Sequence, residues 1–223
     1  LQKPTSVAER RNIVRRAGTS TSPIELKTAL WRQEAPFNQA IPNRPLVGCV
    51  GTAMAIIMKH HEFPTRGTGS YNGVNFDVEY NWDAMLDGNY MGGYSEEQAE
   101  AVSTLFLHSA TSIGTQFGMS GSSAYEVRVP AALTQYFGYD PGVSYKKRSE
   151  ASSQAEFDHI VAEEIKSGRP VLYCGQDVTI GHAFVADGYD PATGMIHINW
   201  GWGGLANGWF RTTMLNPNAS HSY

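Results

Sequence analysis

Apolar positions between Val50 and His61 recur at helical spacing. Val50, Ala53, Met54, Ile57, Met58 and His61 cover one face, and Ala55 and Ile56 leave the opposite face apolar as well. The pattern predicts a helix buried on most sides, ending between His60 and Phe63, because Pro64 disfavours helical geometry in the residue before it. Three more helices are predicted behind it. Ser95-Glu96-Glu97-Gln98 has the form of a capping box, and Ala99, Val102, Leu105, Phe106, Ser109, Ala110 and Ile113 continue one face up to Gly114. Ala131, Ala132, Leu133, Tyr136 and Phe137 form the next, with Pro130 in its first turn and Gly138 closing it. Ser153-Gln154-Ala155-Glu156 is a second capping box, followed by Phe157, Ile160, Val161, Glu164 and Ile165, with Gly168 and Pro170 ending the helix.

From Pro170 the period changes. Val171 to Cys174, His182 to Ala186, Met195 to Trp200 and Trp209 to Thr212 are short runs rich in β-branched and aromatic residues, separated by Gly, Asp and Pro turns. They predict an antiparallel sheet. Residues 67 to 94, rich in Gly, Asn, Tyr and Asp, read as loop with one or two short strands. Leu26 to Trp31 is a short helical or extended piece, and Pro36, Pro42 and Pro45 impose an irregular path from it to Cys49. Helices first and strands last argue for an α+β fold in which two layers or lobes meet face to face.

Length and composition narrow the function. The 223 residues suffice for one large domain or two packed lobes, and 41% hydrophobic with 17% charged residues describes a folded globular chain. A net charge of -4 offers no electrostatic footprint for nucleic acid or for an anionic membrane. No apolar run approaches the ~20 residues of a membrane span, and the amino terminus lacks the layout of a signal peptide. A cytosolic protein, or one whose leader has been removed, is expected. Two cysteines allow at most one disulfide and make a structural zinc site improbable, so no cofactor is expected. Residues 1 to 20, with Arg10, Arg11, Arg15 and Arg16 among polar residues, read as a tail or linker, with processing near Arg16 as a further reading.

Chemistry concentrates at two places. Cys49 opens the apolar helix, where unpaired backbone N–H groups and the peptide dipoles favour thiolate over thiol. Gly48 before it leaves room for another backbone. Cys49 is thus a candidate nucleophile or, in the plain alternative, a small core residue. Gly181-His182 opens a strand whose turn at Asp190 to Gly194 returns the chain to Asn199-Trp200, so His182 and Asn199 are expected near one open end of a hairpin. A thiol, an imidazole to take its proton and a carboxamide to hold the ring would form a nucleophile–base–orienter set. Trp200 and Trp202 are expected to shield that bond or simply to pack in the core, and His197 competes with His182 as the base.

These residues stand in a recognisable order. Gly48-Cys49-Val50 followed by Thr52-Ala53-Met54-Ala55, then Gly181-His182-Ala183-Phe184-Val185, then Asn199-Trp200-Gly201-Trp202-Gly203-Gly204, closely resemble the streptopain family of bacterial cysteine peptidases. The resemblance runs from about Leu30 to Leu215-Asn216-Pro217. It implies a papain-like fold over residues 21 to 223, with a helical lobe carrying the nucleophile against an antiparallel β lobe. It also implies endopeptidase activity with an apolar preference at the residue before the scissile one, protein and peptide substrates, and a monomer. Secretion as a proenzyme inhibited by its own propeptide, and a part in virulence, are further implications. By the match Cys49 is the nucleophile, His182 the base and Gln33 the oxyanion donor, while Asn199 or Trp200 orients the histidine. Residues 1 to 16 extend beyond the expected start of the mature enzyme and read as a propeptide remnant. Two departures stand out. Gly51 replaces a more usual alanine, weakening the helix, and Cys174 sits where a polar residue is expected, as a buried thiol or a redox-sensitive neighbour of the site. An acyl transferase on the same scaffold and a catalytically silent peptide-binding module remain alternatives.

Overall fold

The computed structural model describes residues 22–177, 180–218 and 221–223. The tail expected at 1–20 lies outside the described residues. Among them, chain order gives β1 (Ile24–Glu25), α1 (Cys49–His61), a hairpin of β2 (Ser70–Tyr71) and β3 (Val74–Asn75), α2 (Glu96–Ser112), α3 (Val129–Phe137) and α4 (Gln154–Lys166). Four strands follow: β4 (Val171–Gln176), β5 (Gly181–Asp190), β6 (Met195–Asn199) and β7 (Gly208–Phe210).

All five strands of the main sheet pair antiparallel, and β5 is its spine. It pairs with β4 from Val171↔Ala186 to Gln176↔Gly181, with β1 at Ile24↔Tyr189, and on its other edge with β6 at Val185↔Asn199. Successive side chains of a strand point to opposite faces, and β5 uses both. Ala183 and Val185 join the core made by α1, α2 and α3, whereas Phe184 and Ala186 join Val161 and Ile165 of α4, Ile196 and Ile198 of β6, and Trp200. The two lobes therefore share one strand.

The helix caps follow the sequence closely. Ser95 and Gln98 form the reciprocal capping box of α2, and α3 carries Pro130 in its first turn and ends on Gly138 at φ 64. At α4 the expected box is half made: the Ser153 hydroxyl accepts from the Glu156 N–H at 3.1 Å, but the Glu156 carboxylate turns to the N–H of Ser152 at 2.7 Å. Ser152 also brings its hydroxyl to that carboxylate, a second bond that Ser153's backbone does not offer. Helix α1 ends at His61 with Glu62 in the left-handed conformation, and Lys59 is buried with its ammonium 2.8 Å from Glu62 and 3.2 Å from the Trp82 carbonyl.

Gly51 has a packing reason that the helix pattern does not carry. A Cβ there would lie 3.0 Å from both Cα and Cβ of Ala110, and the Ser109 hydroxyl donates to the Gly51 carbonyl at 3.0 Å. Helices α1 and α2 touch backbone to backbone at this point. Gly51→Ala is therefore expected to destabilise the fold by about 1–3 kcal/mol through overpacking, despite a gain of up to ~1 kcal/mol in helix propensity. Urea unfolding is the measurement, and Ala110→Gly in the same chain should recover part of the loss.

Buried His108 accepts or donates at Nδ1 to the Tyr80 hydroxyl, 2.7 Å away, and burial lowers its pKa to about 4. The unfolded chain binds that proton near pH 6.5, so this contribution to stability is complete above pH 6.5 and is lost as pH falls through about 4. The expected loss is about 3 kcal/mol, at ~1.36 kcal/mol for each pH unit between 6.5 and about 4. Chemical denaturation across pH 4–7 should show it, and His108→Gln should flatten that slope.

Candidate active site

Pro45, Leu46, Val47 and Gly48 lead the chain into α1 without a side-chain cap, and Gly48 adopts φ 95, ψ 141. That backbone is open to glycine and strained for other residues. The turn it makes presents the first N–H groups of α1 to the Cys49 sulfur. Those of Cys49 and Val50, together with the N–H of Ala183 from β5, favour the thiolate, while burial and the charge of Glu126 act against it. Burial dominates, and the thiol is raised above its ordinary value. The sequence expectation of a thiol lowered by the helix terminus is thus corrected: the N–H groups are there, but desolvation by the opposing strand outweighs them.

Ala183 follows His182, so the same contact brings the imidazole to the mouth of α1. His182 is buried, and its Nε2 lies 2.9 Å from the Trp200 carbonyl oxygen. A carbonyl only accepts, so Nε2 carries the hydrogen and Nδ1 is left as the basic nitrogen. Trp200 and Trp202 lie nearly parallel to the ring, at 13° and 25° with centroids 6.2 and 5.0 Å away. Burial pushes the His182 pKa down, the Trp200 carbonyl pulls it back up, and His221 nearby lowers it again. The site therefore disfavours an isolated charge on either partner. A thiolate and an imidazolium formed together offset each other in the same desolvated space.

Asn199 is near the histidine but does not hold it. Its Nδ2 donates to the Thr28 hydroxyl at 3.0 Å and to the Ala29 carbonyl at 2.9 Å, and its Oδ1 accepts from the Gly201 N–H at 3.1 Å. The carboxamide is consumed by the chain around it, and the backbone of the next residue meets the ring. Of the two orienters that the sequence leaves open, Asn199 and Trp200, it is Trp200 that meets the ring, through its carbonyl. The competitor His197 is also placed: its Nδ1 sits 2.6 Å from Asp187, and its ring packs edge-on to Trp209.

Gln33 accepts from the Gly48 N–H through Oε1 at 2.9 Å, and its own carbonyl accepts from the Val47 N–H at 3.3 Å. Its side chain is thereby anchored to the residue preceding Cys49. With Oε1 committed, Nε2 is the free donor end of the amide.

Cys174, read from the sequence as a buried thiol or as a redox-sensitive neighbour of the site, is exposed. It lies on β4 opposite Ala183, on the face of the sheet that carries α1, and strand alternation turns it into the cleft beyond Leu172. Protein density around it, with Glu126 and Cys49 near, still pushes its thiol above the ordinary range. Behind it runs a mostly apolar cavity of about 490 Å³ whose lining includes Met54, Val129, Leu133, Leu172, Glu126 and Cys174. A cavity of about 750 Å³ opens elsewhere, around Lys59 and Trp82, and touches none of the candidate residues.

Glu126 and Tyr223 were not legible as site residues. Glu126, bonded to the Tyr145 hydroxyl at 3.0 Å, belongs to a short 3-10 turn without periodicity, and the Tyr223 ring lies 5.7 Å from that of His182. Nothing in the local pattern around Tyr223 marks it. Among the described residues no group of three or more His, Cys, Asp or Glu is placed to hold a metal ion, and no helix is long and apolar enough to cross a membrane.

The peptidase C10 family profile matches residues 31–210. The thiol protease/hemagglutinin PrtT of Porphyromonas gingivalis is 37% identical over 207 residues, which is 85% of this chain and 24% of that protein. A streptopain of Streptococcus pyogenes is 35% identical over 216 residues, 89% of this chain and 54% of the relative. The chain thus spans about half the length of the streptopain and about a quarter of PrtT. The solved structure of active interpain A cysteine protease from Prevotella intermedia superposes with a TM-score of 0.84 at 32% identity, covering 92% of each chain. A fragment of prointerpain A from the same organism gives a TM-score of 0.78 at 33% identity, over 91% of this chain and 69% of that one. The α+β, papain-like arrangement is shared with these neighbours.

In Gly48→Ala the alanine must hold φ 95 and its Cβ must sit 3.3 Å from Ser122. Thermal or urea unfolding should register a loss of about 1–3 kcal/mol. A variant as stable as the parent would mean that the turn before Cys49 has other backbone solutions.

Proposed function

Because the chain belongs to the peptidase C10 family, we propose that it is a cysteine endopeptidase whose nucleophile is Cys49 and whose base is His182. The observation that carries the reading is the meeting of α1 and β5, where the Cys49 sulfur faces the Ala183 N–H beside an imidazole held through Nε2 by the Trp200 carbonyl. Nδ1 of His182 takes the thiol proton, and the thiolate attacks the scissile carbonyl carbon. The Cys49 N–H and Nε2 of Gln33 hold the oxyanion as the carbonyl π bond opens. The imidazolium then protonates the leaving amine as the C–N bond breaks, giving a thioester. Water, deprotonated by His182, releases the acid and restores the thiol.

Trp200 serves this scheme through its carbonyl and its ring, and Asn199 through the turn that presents that carbonyl. The side chain of the residue before the scissile one enters the apolar cavity that ends at Cys174, one ladder partner from Ala183. Substrates are unfolded proteins and peptides, bound extended along the cleft. Synthesis as a secreted proenzyme, restrained by its own propeptide, is part of the same proposal, and the neighbour described as a prointerpain A fragment supports it.

Hydrolysis of a denatured protein should stop when iodoacetamide modifies Cys49, and Cys49→Ala should lose ~10⁴-fold or more in kcat. Full proteolysis by Cys49→Ala would overturn the assignment. Gln33→Ala should lose about 10²–10³-fold in kcat, the cost of one oxyanion donor. In a peptide panel varied at the position before the scissile residue, kcat/KM should favour Val, Ile or Leu over Asp by at least ~10-fold.

A further inference from the structure

The carbonyl that holds His182 is itself the end of a chain of buried polar contacts that begins on the neighbouring strand β5. Asp187 is 2% exposed and sits at the irregularity in the β5–β6 ladder, where the register slips between Ala186 and Gly188. An extra residue at such a point re-aims a side chain. Gly188 makes the close approach possible, since a Cβ there would lie 2.7 Å from His197 and 2.8 Å from the Ile24 carbonyl. The Asp187 carboxylate receives His197 Nδ1 at 2.6 Å on one oxygen and the Thr28 hydroxyl and N–H on the other, the N–H at 3.3 Å. With its hydrogen spent on Asp187, Thr28 Oγ1 accepts from Asn199 Nδ2 at 3.0 Å. Asn199 Oδ1 then takes the Gly201 N–H, and the enclosed residue Trp200 is pinned again by Asn207 on its N–H at 3.0 Å and by Ala206 on its indole at 3.0 Å.

We propose that Thr28 and Asp187 are positioning residues for the reaction: they lock the Asn199 carboxamide, and so the turn whose Trp200 carbonyl holds His182 Nε2–H. The proposal rests on His182 being the base. Every link is buried or nearly so, where bonds in series reinforce one another and a missing partner is costly. His197 is the outer anchor of the chain, with 13% of its side chain exposed and its charge favoured by the Asp187 carboxylate against the effect of burial.

The test compares Thr28→Val, which keeps the shape and removes the hydroxyl, with Thr28→Ser, which restores it. Active sites are counted with a thiol titrant, and kcat, KM and the pH profile of kcat/KM are measured per titrated site. Thr28→Val should lose about tenfold in kcat with KM within twofold. Its alkaline limb should move to lower pH, because a loosened carbonyl stabilises the imidazolium less. His221 and Tyr223, which also face His182, are unchanged in both variants. Thr28→Ser should return both readouts to the parent values. A parental kcat and limb in Thr28→Val, or a loss of kcat with the limb unmoved, overturns the proposal. If Thr28→Val yields no folded protein, His197→Gln carries the test, with a two- to threefold loss and the same shift expected, and parental values overturning it. His182→Ala separates the two levels. Activity surviving in His182→Ala refutes the base assignment, whereas an inactive His182→Ala beside an unaffected Thr28→Val refutes only the positioning role.

Discussion

The packing of α1 against β5 is the constraint on which the rest depends. One strand feeds two cores: Ala183 and Val185 lie under the helices and Phe184 and Ala186 under α4, so neither lobe can shift along the other without breaking both. The first turn of α1 meets that strand beside His182, and the sulfur and the imidazole come from elements more than a hundred residues apart in sequence. The same closeness desolvates both groups and moves both pKa values against charge. A site built this way favours charges made as a pair over charges made singly.

Around that pair, backbone does much of the work. The ring is held by a carbonyl, the sulfur is faced by three N–H groups, and the proposed oxyanion site combines a further use of one of them with a glutamine anchored to the Gly48 N–H. Side chains act one step back. Asn199, Thr28 and Asp187 are bonded to one another behind that carbonyl, and the two tryptophans lie nearly parallel to the imidazole. Such division suits a nucleophile at a helix terminus, because main-chain dipoles are rigid and need no reorganisation as charge moves.

How much of this the sequence disclosed depends on which atoms carry each feature. Helix α1, the caps of α2 and α3, and the strand set after Pro170 were legible, because apolar spacing and capping residues act locally. Cys49, Gln33, His182 and Trp200 were legible as candidates through motif order. The partner of His182 stayed open between Asn199 and Trp200, since a main-chain acceptor leaves no residue-type signature, and the bond to the ring comes from the Trp200 carbonyl. Residue type left Cys174 open between a buried thiol and a neighbour of the site, and its exposure follows from alternation along β4, which turns it to the cleft. Gly51 read as a weakness of the helix because its reason, the backbone of Ala110, lies on another element. The Asp187–His197 pair escaped notice for a similar reason, as a slip in the ladder register has no marker in the residue pattern.

The most direct measurement is a crystal structure of the chain after reaction with a peptide aldehyde. The account predicts a hemithioacetal on the Cys49 sulfur, its oxygen between the Cys49 N–H and Gln33, with His182 Nδ1 facing the adduct and Nε2 still on the Trp200 carbonyl. An inhibitor bonded to Cys174, or an adduct on Cys49 with His182 turned away and Gln33 out of reach of the oxygen, would contradict it.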